Sequence, residues 1–477
     1  MREHWLFAVL AVCAIGLRAV VLLAYQQALI FPDSERYLQY AHSFSNGQWI
    51  PDWLRTVGYS FLLIPAVLAH NLTWVVTIQH LLGLATAVLI YAALVHFGAR
   101  RWLAALATIP VLFDPLQLDI EQYILTDVSA TFLVVVALVV LVWKREAAGP
   151  KAALAAGLLI AAATIIRESD LVVIIPMLLY LVAVIRPWRR LAIRAGLILA
   201  GCAVPVLGYL LWVHTWFGVY NFVNYSPEFM YGRIAQFADC QSLSLPSYEQ
   251  HLCPRQPPAQ RDPDFYMWAP QSPQVTLKPP DGVAKSQVVD DFDWRIIKHQ
   301  PLTYIKVVAD DVLYSFSAVR GNGPEGYPAG YHNFQTFFPS GKGELATLRA
   351  YSRSSPRVQS ALADFLSGYG RDFYVPGPVL AAGLALGLAG MAGIGPGRRS
   401  RLRAPALLFA LGAIFMDLPP FIIATFDWRY ELPQFSLIPV AAVLGLMAMT
   451  DRAGHAGSPA HTSASLSSQD GQSLPAE

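Results

Sequence analysis

FPDSERYLQYAHSF, Phe31 to Phe44, is the first polar stretch after an apolar run, Trp5 to Tyr25, that is long enough to cross a bilayer. Its reading decides the fold. Asp33 and Glu35 stand just outside a membrane span, and Tyr37, Tyr40, Ala41 and Phe44 follow at helical spacing. A helix with this aromatic stripe is expected to lie in the interface plane, because amphipathic rings favour headgroup depth, with its first turn held against the bilayer. Two carboxylates at a membrane surface make a candidate catalytic platform. A plainer reading stands beside it, in which Asp33 caps a helix after Pro32 and Glu35 complements its dipole.

The rest of the chain agrees with a membrane setting. Of 477 residues, 55% are apolar and 14% charged, which excludes an ordinary soluble enzyme and a disordered chain. A net charge of +2 gives no reason to expect nucleic acid as a partner. Apolar runs fall at Trp5 to Tyr25, Trp74 to Phe97, Trp102 to Leu118, Thr126 to Trp143, Ala152 to Ile166, Leu171 to Ile185, Leu191 to Trp216, Pro376 to Ile394, Ala404 to Thr425 and Leu432 to Met449. About ten transmembrane helices are therefore expected in an all-α polytopic protein. Val57 to Ala69 is apolar but too short to span and reads as a juxtamembrane or re-entrant helix.

Basic clusters at Arg100/Arg101, Lys144/Arg145/Lys151, Arg186/Arg189/Arg190/Arg194 and Arg398/Arg399/Arg401/Arg403 set the orientation, since cytoplasmic loops carry the excess of Lys and Arg. The N-terminus and the tail are then cytoplasmic, and residues 26–73 and 217–375 are external. This divides the chain into a transmembrane module (1–216), an extracytoplasmic segment of mixed helix and loop (217–375), C-terminal transmembrane helices (376–450) and a tail (451–477). The tail is rich in Ser, Gly and Ala and reads as disordered. The first run lacks a small-residue cleavage pattern and is expected to remain as a span. Within the external segment, Asp290 to Val319 reads as a helix broken at His299-Gln300-Pro301. Cys240 and Cys253 lie in that segment, where an oxidising environment permits a disulfide, whereas Cys13 and Cys202 lie in spans as apolar fillers.

Charged groups recur on the external side: Asp33/Glu35, then Asp114/Asp119/Glu121 with Asp127, then Arg167/Glu168/Asp170, then Asp427/Arg429. Ionisable groups at membrane level are costly, so their recurrence at one depth points to a shared polar cavity. Each also has a local explanation, as a dipole partner or a loop ion pair.

Three short motifs now carry a resemblance. R-T-V-G-Y-S (Arg55 to Ser60), Q-Y-I-L-T-D (Gln122 to Asp127) and W-R-Y-E-L-P (Trp428 to Pro433), behind an external loop with Asp33, are similar to the GT-C superfamily of multipass glycosyltransferases. The nearest branch holds the protein O-mannosyltransferases and the lipid A aminoarabinose transferases. The acidic pair of that family is Asp-Ser-Glu here, and Val57 stands where Pro is frequent.

The resemblance implies a GT-C-like fold in the bacterial plasma membrane with an extracytoplasmic active site. Its donor is a polyprenyl-monophosphate-linked sugar, transferred with inversion to a hydroxyl of a glycan, lipid or protein acceptor. On that reading Asp33 is the base, with Glu35 beside it, and Arg429, Arg167 and Arg55 hold the phosphate, because guanidinium forks match phosphate oxygens. Glu121, Asp127 and Asp119 form a supporting acidic site, and Tyr37, Tyr40 and Tyr430 line the substrate groove. No cofactor is required by this chemistry. Asp33, Glu35 and Glu121 could together hold a hard divalent cation, Mg, Ca or Mn, through oxygen ligands. Competing readings are a transporter or lipid flippase, and a glycan ligase or polymerase of related architecture.

Overall fold

All ten apolar runs become helical, and prolines decide which of them stay whole. The structure, a computed structural model, describes residues 3–144, 148–223, 226–324, 332–338, 342–353 and 355–451. Five helices among these are long and apolar enough to cross a membrane: Trp5–Ala24, Thr73–His96, Trp188–Phe217, Arg403–Ile423 and the unit Trp428–Thr450. A sixth crossing is available if Ser360–Asp372 and Gly377–Ala392, bent by 53° at their junction, act as one span. Asp127–Val142 and Pro150–Ile166 are apolar but shorter, so not all of the expected ten spans have a helix of full spanning length among the described residues. The residues expected to form the tail lie outside the described part from 452 onward.

The third run departs most from expectation. Instead of one span over Trp102 to Leu118, the chain forms Arg101–Leu106, Ile109–Phe113 and Pro115–Gln122. Pro110 and Pro115 cannot donate to the preceding turn, so each starts a new helix. Asp114 caps the last of these, its Oδ1 accepting from the Leu116 amide at 2.9 Å. Gly157 and Gly201 let Pro150–Ile166 and Trp188–Phe217 pack backbone to backbone: a Cβ at Gly157 would lie 2.3 Å from the Ile198 carbonyl oxygen.

Pro32–Ser45 forms the expected platform helix, but its aromatic stripe faces protein instead of lipid. Tyr37, Leu38, Ala41 and Phe44 are buried, and Tyr37 meets Tyr59 edge-on at 5.4 Å across the short helix Gly58–Ala69. Gly58 is needed for that seat, since a Cβ there would lie 2.4 Å from the Ile165 carbonyl oxygen, beside Arg167.

The segment 217–375 has its own small core, in which Tyr231, Ile234, Leu252, Tyr266, Val288, Phe292 and Ile296 are packed together. The expected broken helix appears as Lys285–His299 and Pro301–Tyr314, with Gln300 between them. Cys240 and Cys253 are joined, with Cα atoms 6.1 Å apart. Tyr304 Oη donates to the Ile422 carbonyl at 2.9 Å and ties the segment to the helix Arg403–Ile423, while Leu313 is left exposed.

Candidate functional site

The helix Pro32–Ser45 sets the first two carboxylates apart. Its N-cap is Phe31, whose amide donates to Ser34 Oγ, so Asp33 is not the cap. Residues two apart on a helix lie about 200° apart around its axis. Asp33 therefore turns inward and Glu35 outward: Glu35 is exposed and makes no ion pair among the described residues. The expected Asp33/Glu35 pair does not form.

Asp33 instead meets two arginines brought from distant parts of the chain. Arg55 Nη2 lies 2.8 Å from Oδ1, and Arg429 Nη1 lies 3.2 Å from Oδ2. Burial pushes the Asp33 carboxyl up, but Arg55 and then Arg429 outweigh it and hold the group at about 2. Arg429 is fixed in turn by Asp427, whose Oδ2 lies 2.9 Å from Nε, and by the faces of Phe31 (4.9 Å) and Tyr430 (5.4 Å).

Arg167 completes the group. The helix Pro150–Ile166 ends there in an extended residue, and its guanidinium sits 3.4 Å from Asp127 Oδ1 and 5.5 Å over the Tyr430 ring. Its Nη atoms are buried and make no hydrogen bond in the described structure. Tyr430 thus lies between two cations. Three guanidinium groups and three carboxylates, Asp33, Asp127 and Asp427, converge on one region. Asp170 lies against it with both carboxylate oxygens unbonded, and burial, against the pull of Arg167, pushes it up to about 7.

The supporting acidic site is dispersed. Asp119 and Glu121 are also two apart on a helix and point to opposite sides. Glu121 turns into the membrane module, where Oε1 accepts from Arg18 at 2.8 Å and Oε2 lies 2.6 Å from His80 Nδ1. Asp119 is buried without a hydrogen bond, and burial pushes it up to about 7, opposed by His332. Only Asp127 joins the arginine cluster. Asp33, Glu35 and Glu121 consequently do not form a cation-ligating set, and among the described residues no group of three or more His, Cys, Asp or Glu side chains is placed to hold a metal ion. Of the groove tyrosines, Tyr430 stands in the cluster. Tyr37 is packed beneath it, and Tyr40 lies beside Arg36 (5.8 Å), away from Arg429.

Several residues of this region were not legible in the sequence. His332 Nε2 lies 2.9 Å from Asp427 Oδ1. Arg320 grips Asp114 with two bonds of 2.8 and 3.0 Å and approaches Glu431 at 3.7 Å, fixing the turn that carries Arg429. Phe229 and Trp268 of the segment 217–375 cover Arg55 at 4.9 and 5.9 Å. No local signal marks these side chains, because each works through a partner hundreds of residues away or in the segment without motif matches. Arg18, the single charge inside the first span, is explained: it donates to Glu121 and to the Val111 and Leu112 carbonyls.

Fold and site together define a multipass membrane protein, helical among its described residues, with a buried arginine–carboxylate cluster. The dolichyl-phosphate-mannose-protein mannosyltransferase family profile matches residues 59–221, about a third of the chain, which include Asp127 and Arg167 but not Asp33, Arg55 or Arg429. No curated protein matches the chain. Among solved structures, the protein O-mannosyltransferase Pmt1–Pmt2 complex of S. cerevisiae bound to the sugar donor is 18% identical over 52% of this chain and 38% of its own, with a TM-score of 0.36. The apo oligosaccharyltransferase of Archaeoglobus fulgidus is 14% identical over 94% of this chain and 50% of its own, with a TM-score of 0.41. The chain thus spans half or less of the solved structures it matches.

Proposed function

We propose that the protein is an inverting membrane glycosyltransferase that moves a sugar from a polyprenyl-monophosphate donor to an acceptor hydroxyl of the cell envelope, on the extracytoplasmic side. The observation that supports this most is the convergence of Arg55 and Arg429 on Asp33, with Arg167 held against Asp127 in the same cluster beside the membrane module. A lipid-linked phosphate can present its head only at the membrane surface, and three guanidinium groups there match its charge and shape. The match to the mannosyltransferase profile over residues 59–221 supports the same class of donor.

In the reaction the acceptor hydroxyl gives its proton to Asp33 while its oxygen bonds to the sugar's anomeric carbon from the face opposite the phosphate. The bond from that carbon to the phosphate oxygen breaks, and its electron pair stays on the phosphate, where the arginines offset the charge. Asp33 held at about 2 between two cations is a weak base. The donor phosphate competes for Arg429 and Arg55, and each contact it takes from Asp33 returns basicity to the carboxylate. Acceptor activation then follows donor binding.

The test is transfer from a short-chain polyprenyl-phosphate mannose in liposomes, read by release of polyprenyl phosphate and by the anomeric configuration of the product. Retained configuration, or movement of the lipid across the bilayer without sugar release, overturns the proposal; the second outcome would favour a flippase.

A further inference from the structure

Resting on the transferase reading, we propose that Asp264 and Trp268, both on one short helix of the external segment, form an acceptor subsite that selects a saccharide. Pro263–Trp268 is placed beside the arginine cluster by its own C-terminal residue: Arg55, bonded to Asp33, lies under Trp268 and under Phe229, which meets Trp268 edge-on at 5.4 Å. Trp268 nevertheless keeps 40% of its surface exposed. At the other end of the helix the two acids have different duties. Asp262 is the cap, its Oδ1 accepting from the Asp264 amide at 2.9 Å, so its role is local.

Asp264 opens to solvent, and its carboxylate takes no part in an ion pair among the described residues. It nonetheless lies within the field of the cluster. Desolvation first, then Asp262 and Asp427, push it up to about 6, with Arg429 opposing and Asp33 adding to the rise. An anion in that position has no use for donor phosphate, which it would repel. What suits it is a group that donates several hydrogen bonds without bringing charge, and the partly exposed Trp268 indole one helical turn along suits the C–H face of a ring. A pyranose or furanose offers both at once, whereas a Ser or Thr side chain offers one hydroxyl and no face to stack. Acceptor choice would then lie in the helix Pro263–Trp268, outside the region of family match.

Membranes containing the full-length chain and its own envelope acceptors test this, with polyprenyl-phosphate mannose radiolabelled in the sugar as the probe and membranes lacking the chain as the blank. Label is read in saccharide, in protein and as free sugar released to water. The wild type is expected to place label in saccharide. Asp264→Asn and Trp268→Ala are expected to shift the ratio of saccharide to free sugar by roughly tenfold toward water, as loss of a hydrogen bond to a charged group predicts, with Trp268→Phe recovering part of it. Thermal melting screens each variant for folding, and Asp264→Glu and Trp268→Phe replace any that fail. Label found mainly in protein overturns the saccharide assignment, and an unchanged partition in the folded variants overturns the subsite. If no sample consumes donor beyond the blank, the transferase reading itself fails.

Discussion

Arg429 Nη1 lies 3.2 Å from Asp33 Oδ2, joining residues 396 positions apart. The contact places a residue that enters the last span against one that leaves the first, and it makes Asp33 a member of an ion-pair network instead of a helix cap. Breaking one side of such a buried network leaves the other charge uncompensated, so the chemical and structural roles of these residues must be separated by experiment.

Replacing Asp33 by Asn keeps the side chain's shape and removes the proton acceptor. Transfer from polyprenyl-phosphate mannose is expected to fall by roughly 100-fold or more, with the melting temperature measured alongside to exclude unfolding. Glu35→Gln is expected to leave the rate near that of the wild type, because Glu35 is exposed and faces away from the cluster. A fully active Asp33→Asn enzyme would falsify the base assignment.

Arg429→Ala should weaken donor binding and turnover together, since the phosphate is charged before and after the sugar leaves. Arg429→Lys should not restore either in full, because a point charge cannot serve Asp33, Asp427 and a phosphate with one planar fork. Tracer binding of polyprenyl phosphate measures the first effect, and initial rates the second.

The carboxylates push stability in opposite directions with pH. Asp33 is depressed to about 2 from 3.8, so its contribution is present above 3.8 and is lost as the pH falls toward 2. Asp119 and Asp170 are raised to about 7, so theirs is present below 3.8 and is lost as the pH rises through 7. The melting temperature in detergent should therefore decline from about pH 5 to about pH 8, and Asp119→Asn should flatten that decline. An unchanged slope in that variant would remove Asp119 as its source.

Inside the membrane module, Glu121→Gln or Arg18→Leu strands a buried charge and should cost about 3–5 kcal/mol, read as loss of folded protein in detergent. The double change Arg18→Met with Glu121→Leu should be milder than either single one, because neither charge is then left alone.

Much of the fold followed from composition and spacing alone. Long apolar runs have no stable alternative to helix in lipid, so their positions were readable one by one, and the break at Gln300-Pro301 was readable from the missing proline donor. The same local rules explain what was misread. Asp33 with Glu35, and Asp119 with Glu121, look like pairs in a string of letters, but a helix sends residues two apart to opposite sides. Trp102 to Leu118 looks like one span until Pro110 and Pro115 are given their effect on the backbone. Sequence nominated Arg55, Arg167 and Arg429 by residue type and motif, yet it could not say that all three meet Asp33 and its neighbours, nor that Arg320, His332 and Trp268 support them. Those contacts join segments up to hundreds of residues apart, and only the packing of helices against one another determines which distant charges become neighbours.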